Sequence, residues 1–106
     1  MLKKANRVSK KTLDEVFKSG RFINSPALTL KYAQSGEAEP RISFIVPKNV
    51  AKSAVVRNAL RRRGYQAIVG HLATLPQGFI GAFIFKKELN IDELKHELEN
   101  LLNKIN

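Results

Sequence analysis

The chain has 106 residues, enough for one domain with its own core and too few for two domains of ordinary size. It contains no cysteine, which excludes a disulfide framework, a thiol nucleophile and a cysteine zinc site. Its formal net charge of +10 sets up self-repulsion in a compact state, so an anionic partner is expected, nucleic acid first and an anionic membrane surface second.

The charge is lopsided: residues 1–63 carry 15 basic and 4 acidic side chains, residues 64–106 only 4 basic and 5 acidic. The N-terminal arm (residues 1–11) holds Lys3, Lys4, Arg7, Lys10 and Lys11 with little to bury, and is either a frayed tail or a phosphate-contacting arm. No apolar run follows it and no segment approaches the ~20 apolar residues of a membrane span, so a soluble, cytoplasmic protein is expected. Thr12-Leu13-Asp14-Glu15 has the form of a capping box. Leu13, Val16 and Phe17 follow on one face and Gly20 closes the segment, predicting a first helix over about 12–19.

Arg21 to Asn24 begins a strand that Ser25-Pro26 breaks, and Ala27–Ala33 forms a second. In the second strand Leu28, Leu30 and Tyr32 share one face, and Thr29 and Lys31 the other. A polar loop over 35–40 leads to Arg41–Val46, a third strand ended by Pro47, and the short loop predicts antiparallel pairing of strands two and three. Ser53 is a candidate N-cap for a helix from Ala54 to His71. Val56, Leu60, Gly64 and Ala67 cluster on its wheel, with Ile68 at the edge. Gly64 costs about 1 kcal/mol in a helix interior, so it signals either a close helix–sheet approach or a break. Phe79–Phe85 is apolar almost throughout, the pattern of a central strand covered on both faces. Asn90-Ile91-Asp92-Glu93 is a second capping box. Ile91, Leu94, Leu98, Leu101, Leu102 and Ile105 then mark a last amphipathic helix, with Asp92, Glu93, Glu97 and Glu99 assigned to its solvated face. The order is α-β-β-β-α-β-α in one domain over 1–106, without repeats or linkers.

The stretch Lys48–Arg63 stands apart, with six basic side chains and no acidic one. A solvated helix normally mixes signs for i, i+4 support; Arg57, Arg61, Arg62 and Arg63 mix with nothing. Arginine suits bidentate phosphate contacts and stacking on bases, so this helix is the candidate polyanion grip. The strand face bearing Thr29 and Lys31, with Phe17 and Tyr32 close in sequence, can add a cleft where a ring stacks unpaired bases; core packing is the competing reading of those two rings. No nucleophile–base set, Gly-rich phosphate loop or metal motif is present. His71 and His96 are assigned structural places, and no residue is assigned a catalytic role.

Ala54-Val55-Val56-Arg57-Asn58 followed by Leu60-Arg61-Arg62-Arg63 resembles the arginine-asparagine-arginine signature of the bacterial ribonuclease P protein subunit. The approach Val46-Pro47-Lys48-Asn49-Val50-Ala51-Lys52 is similar too, as is Leu13–Gly20 to that family's Phe-x-x-Val-Phe-x-x-Gly helix. The chain departs at Ala59, where the family carries arginine, at an additional Ser53, at Gly64 and Tyr65, at Leu13 for the cleft Phe, and at Lys31 where an aromatic is common. The resemblance implies an α+β sandwich, ribosomal-protein-S5-domain-2-like, with a left-handed βαβ crossover. It implies RNA contacts by Lys48, Lys52, Arg57, Asn58, Arg61, Arg62 and Arg63 together with the arm. It also implies a cleft (Leu13, Phe17, Thr29, Lys31, Tyr32) for the 5′ leader of precursor tRNA. Its partners are then ribonuclease P RNA and precursor tRNA, with no membrane or protein partner. Hydrolysis in the holoenzyme, an endoribonuclease that matures tRNA 5′ ends, is expected of the RNA with Mg2+, and no cofactor is expected on the protein. A ribosomal or ribosome-assembly protein is the alternative. A DNA-binding role is disfavoured, because a strand and not a helix leads into the basic helix.

Overall fold

The computed structural model describes residues 18, 20–34, 40–76 and 78–105. The basic arm, Leu13 and Phe17 of the expected first helix, and the loop 35–39 lie outside the described residues. Four strands, β1 (Arg21–Asn24), β2 (Leu28–Gln34), β3 (Arg41–Ile45) and β4 (Phe79–Phe85), form one sheet in the order β1-β2-β4-β3. Among the described residues two helices, α1 (Ala54–Ile68) and α2 (Ile91–Ile105), pack on one face of it, and α1 runs on into a 3-10 segment, Val69–Thr74.

β4 organises the sheet. Six of its seven residues are buried, so it must have a strand on each edge and cover on each face. It pairs antiparallel with β2, from Leu28 opposite Phe85 to Gln34 opposite Phe79. It pairs parallel with β3, with Phe44 beside Phe83. The expected β2–β3 hairpin is therefore wrong: β4 lies between those strands, and β3 reaches it through the helical crossover α1. A six-residue loop permits a hairpin, but burying an all-apolar strand at the sheet centre is worth more than closing one, at roughly 1.5–3 kcal/mol for each large side chain removed from water. The antiparallel hairpin that does form is β1–β2, with Arg21 opposite Tyr32. Its turn is held by Ser25, whose Oγ accepts from the Leu28 amide at 3.1 Å, while Lys86 Nζ donates to the Ser25 carbonyl at 2.8 Å.

The core lies between the sheet and the helices. Leu28, Leu30, Ile42, Phe44, Phe83 and Phe85 face Leu60, Ala67 and Ile68 of α1 and Leu94, Leu98 and Leu101 of α2. Phe44 is its hinge pin: it stacks on Phe83 (centroids 5.0 Å, 17°) and takes the edge of Tyr65 (5.1 Å, 82°). Gly64 is buried directly above that ring. A Cβ built there would come within 2.5 Å of Phe44 Cδ1, so the glycine marks a close approach and α1 runs through it unbroken. Gly78, at φ 75°, makes the left-handed turn into β4.

Three expectations shift at the helices. Val56 does not join the core: it is 37% exposed and Val55 75%, because the buried stripe begins a turn later at Leu60. The α-helix ends at Ile68, short of His71, and tightens into 3-10 geometry. Glu97 is only 8% exposed, not on a solvated face. Its position, three residues after Leu94 and four before Leu101, puts it on the buried stripe. The Asn90 capping box forms as read: the Glu93 amide donates to Asn90 Oδ1 at 2.8 Å and the Asn90 amide to Glu93 Oε1 at 3.2 Å. Asn90→Ala removes one of these bonds and leaves the α2 N-terminus open. It is expected to cost about 1 kcal/mol, seen in a thermal melt as a Tm lower by roughly 4–8 °C.

Candidate nucleic-acid interface

The loop between β3 and α1 is folded back on Pro47, whose carbonyl accepts from the amides of Val50 (3.0 Å) and Ala51 (3.3 Å). Ala51 is buried, and this anchors the loop while Lys48 and Lys52 stay exposed on either side. Ser53 caps α1 in extended backbone (φ −77°, ψ 131°), its Oγ accepting from the Val56 amide at 3.5 Å. Lysines and helix start are thus presented on one fixed frame.

The four arginines of α1 do not share one environment. Arg57 Nη1 donates to the carbonyls of Ala51 (3.0 Å) and Lys52 (2.8 Å), bolting the loop to the helix. Arg63 Nη1 donates to the carbonyl of Leu89 at 3.1 Å and ties α1 to the segment before α2. Arg61 Nη2 donates to Asn58 Oδ1, one turn back, which orients both side chains. Arg62 is exposed and borders a shallow depression with Ala59 and Gln66. No acidic residue interrupts α1. The result is a cationic helix face whose flanking arginines are braced by backbone carbonyls, so less side-chain entropy is lost when an anion is gripped.

These roles separate experimentally. Arg57→Ala and Arg63→Ala are each expected to lower stability by about 1 kcal/mol through the lost charged hydrogen bonds. Arg62→Ala should stay within about 0.5 kcal/mol of wild type, as exposed substitutions do. Thermal melts of the three variants check the division.

The sheet face opposite α1 and α2 carries Lys31 and Arg41, both half-buried, with Ile80 and Ala82 buried on it. Strand register places Phe22, Lys31, Ala82 and Ser43 in one row across it, flanked by the rows Asn24–Thr29–Ile84–Ile45 and Ala33–Ile80–Arg41. Thr29 and Lys31 therefore share this face, and Thr29 Oγ1 donates to Asn24 Oδ1 across the strands at 2.8 Å. Tyr32 is on the opposite face, its ring parallel to Phe79 (centroids 6.0 Å, 18°), where it borders a cavity of about 530 Å³ with Arg21 and Gln34. The structure thus does not bring Tyr32 together with Thr29 and Lys31. Leu13, Phe17, Lys3, Lys4, Arg7, Lys10 and Lys11 lie outside the described residues. Sequence reading assigned Phe22 only to a strand. The two-residue period that buries half of Ile23 turns Phe22 the other way, beside Lys31, and that alternation is the signal that could have singled it out.

His71 lies in the 3-10 segment and His96 is exposed on α2. Among the described residues no three His, Cys, Asp or Glu side chains converge on a metal position, and no helix is long and apolar enough to cross a membrane.

The Ribonuclease P family model matches residues 2–106. A ribonuclease P protein component of Synechococcus elongatus is 32% identical over 97 residues, spanning 84% of this chain and 80% of its own length, and that of a second Synechococcus strain matches equally. The fold is similar to that of the RNase P protein from Thermotoga maritima (TM-score 0.83, 20% identity, 94% of this chain and 97% of that one). It is equally similar to that of Staphylococcus aureus (TM-score 0.83, 17% identity, 96% of each chain).

Proposed function

The chain belongs to the ribonuclease P protein family, and we propose that it binds the catalytic RNA of ribonuclease P and assists the 5′ maturation of tRNA. The observation that carries this reading is the acid-free face of α1, with its arginines braced on backbone carbonyls. Lys48, Lys52, Arg61 and Arg62 contact phosphates of the RNA, and Asn58 orients Arg61. Arg57 and Arg63 hold the frame and add their charge to it. The arm residues Lys3, Lys4, Arg7, Lys10 and Lys11 extend the same contact. The sheet face with Thr29 and Lys31 receives the 5′ leader of precursor tRNA, alongside Leu13 and Phe17 of the N-terminal segment; Tyr32 serves packing at the sheet's other face.

Hydrolysis of the phosphodiester belongs to the RNA with its magnesium ions. The protein's part is to position substrate and to neutralise phosphates that would otherwise need condensed cations. A cation supplied by arginine replaces one supplied by salt, so the protein matters most when magnesium is scarce. Cleavage of precursor tRNA by the organism's own ribonuclease P RNA, with and without protein at low magnesium, tests the reading. Strong acceleration is expected. Tight RNA binding without acceleration would point instead to a ribosomal or ribosome-assembly role.

A further inference from the structure

We infer that the depression on α1 around Ala59 seats an unpaired base of structured RNA, held at its edge by Gln66 and at its phosphate by Arg62 and Arg63. The inference rests on the proposed function in one respect, that α1 is the element that meets ribonuclease P RNA.

Ala59, Arg62, Arg63 and Gln66 line a depression of about 400 Å³. Their spacing of three, four and seven residues puts them on one face of the helix. The floor is the half-buried Ala59 methyl, and a longer side chain at that position would fill the space. The rim differs in chemistry from residue to residue. Arg62 and Gln66 are exposed. Arg63 is exposed too, and its bond to the Leu89 carbonyl uses one of five N–H donors while fixing the direction of the fork. Gln66 brings an amide, with donors and an acceptor side by side, the pattern that complements the edge of a base.

The same stripe continues past both ends of the depression. Val55 lies one turn before Ala59 and Val69 one turn after Gln66, and they are 75% and 45% exposed. A single exposed valine needs no explanation. Two on the stripe that carries the arginines have a use: phosphates gain nothing from alkyl groups, whereas ribose and base faces do. Unpaired bases can be splayed out of a structured RNA and stacked on guanidinium planes, and the bases of a duplex cannot. No Asp or Glu lies between Glu39 and Glu88, so α1 and the segments joining it to β3 and β4 supply no competing anion of their own. A face that only collected phosphates would be improved by a further arginine at position 59. A base seat would be blocked by it, and the two readings predict effects of opposite sign.

Filter binding of the full chain to ribonuclease P RNA across a salt series reads that sign, on variants with wild-type melts. Ala59→Arg is expected to weaken binding about fivefold or more despite the added charge, as the loss of one stacked base does. Gln66→Ala is expected to weaken it about two- to tenfold, the range of a neutral hydrogen bond, with no change in salt slope. Toward a fully paired RNA duplex, which offers no free base, Gln66→Ala should bind like wild type. Tighter binding of Ala59→Arg to ribonuclease P RNA, with a slope steeper by about 0.7–0.9, overturns the assignment and makes the depression a gap in a line of phosphate contacts. Wild-type affinity in both variants overturns it equally, and gives the depression to a partner other than RNA. Either result leaves the proposed function standing wherever the wild-type chain still accelerates cleavage. A wild-type chain that neither binds the RNA nor accelerates it removes both.

Discussion

Gly64→Ala is expected to destabilise the protein by about 1–2 kcal/mol, and Gly64→Val by 3 kcal/mol or more, because added atoms in a packed core cost roughly 1–3 kcal/mol and sometimes more. The alanine methyl would sit 2.5 Å from Phe44 Cδ1 and 2.7 Å from Cγ and Cε1. The ring cannot yield freely, since Phe83, Phe85 and Tyr65 surround it with centroids at 5.0, 6.1 and 5.1 Å. Helix propensity pulls the other way by about 1 kcal/mol for Gly→Ala, which is why the alanine variant suffers less than the valine. A small domain has only ~5–15 kcal/mol to lose, so the valine variant forfeits a large share of it. Thermal melts should show the alanine variant lowered by roughly 4–8 °C per kcal/mol. An unchanged or raised Tm for alanine would mean that α1 does not lie this close to β3.

The second large effect is electrostatic. Engaging four or five phosphates gives a log–log salt dependence of RNA affinity of about −3 to −4.5. Replacing Lys52, Arg61 and Arg62 together by alanine is expected to flatten that slope by about 2 to 2.7, at 0.7–0.9 per lost contact. These three are chosen over Arg57 and Arg63, whose guanidinium groups also hold backbone carbonyls. Their removal would mix lost contacts with a loosened frame. Filter binding across a salt series, on variants with wild-type melts, measures the slope directly. A slope unchanged in the triple variant would place the RNA contacts elsewhere on the chain.

What could be read from the residues divides along the range of the forces involved. Local signals were legible. The Asn90–Glu93 capping box, the Ser53 cap and the all-apolar Phe79–Phe85 run each act through neighbours in the chain or through their own burial. Gly64 was legible as a question, close approach or break, and Phe44 answers it from twenty residues away. The β2–β4 pairing was not legible from loop length, because the competition between a local hairpin and a buried centre is settled by the whole sheet. Glu97 was assigned by its charge, when its spacing from Leu94 and Leu101 already placed it inward. At the candidate site the basic residues were visible as a charge run, but their division of labour was not. Whether Arg57 faces a phosphate or a carbonyl depends on where the Pro47 turn leaves the carbonyls of Ala51 and Lys52. Tyr32 was legible in part: strand alternation already set it on the face opposite Thr29 and Lys31, whereas the pairing of Phe22 with Lys31 depends on the register of β1 against β2.

The central claim is that the braced cationic face of α1 joins this chain to a catalytic RNA that processes precursor tRNA. Its most direct test is the rate of precursor tRNA cleavage by the organism's own ribonuclease P RNA at low magnesium, reconstituted with wild-type protein or with the Lys52, Arg61 and Arg62 triple alanine variant. The wild-type chain should restore cleavage, and the triple variant, although folded, should leave the rate near that of the RNA alone. Equal acceleration by the two proteins, or none by the wild type, would contradict it.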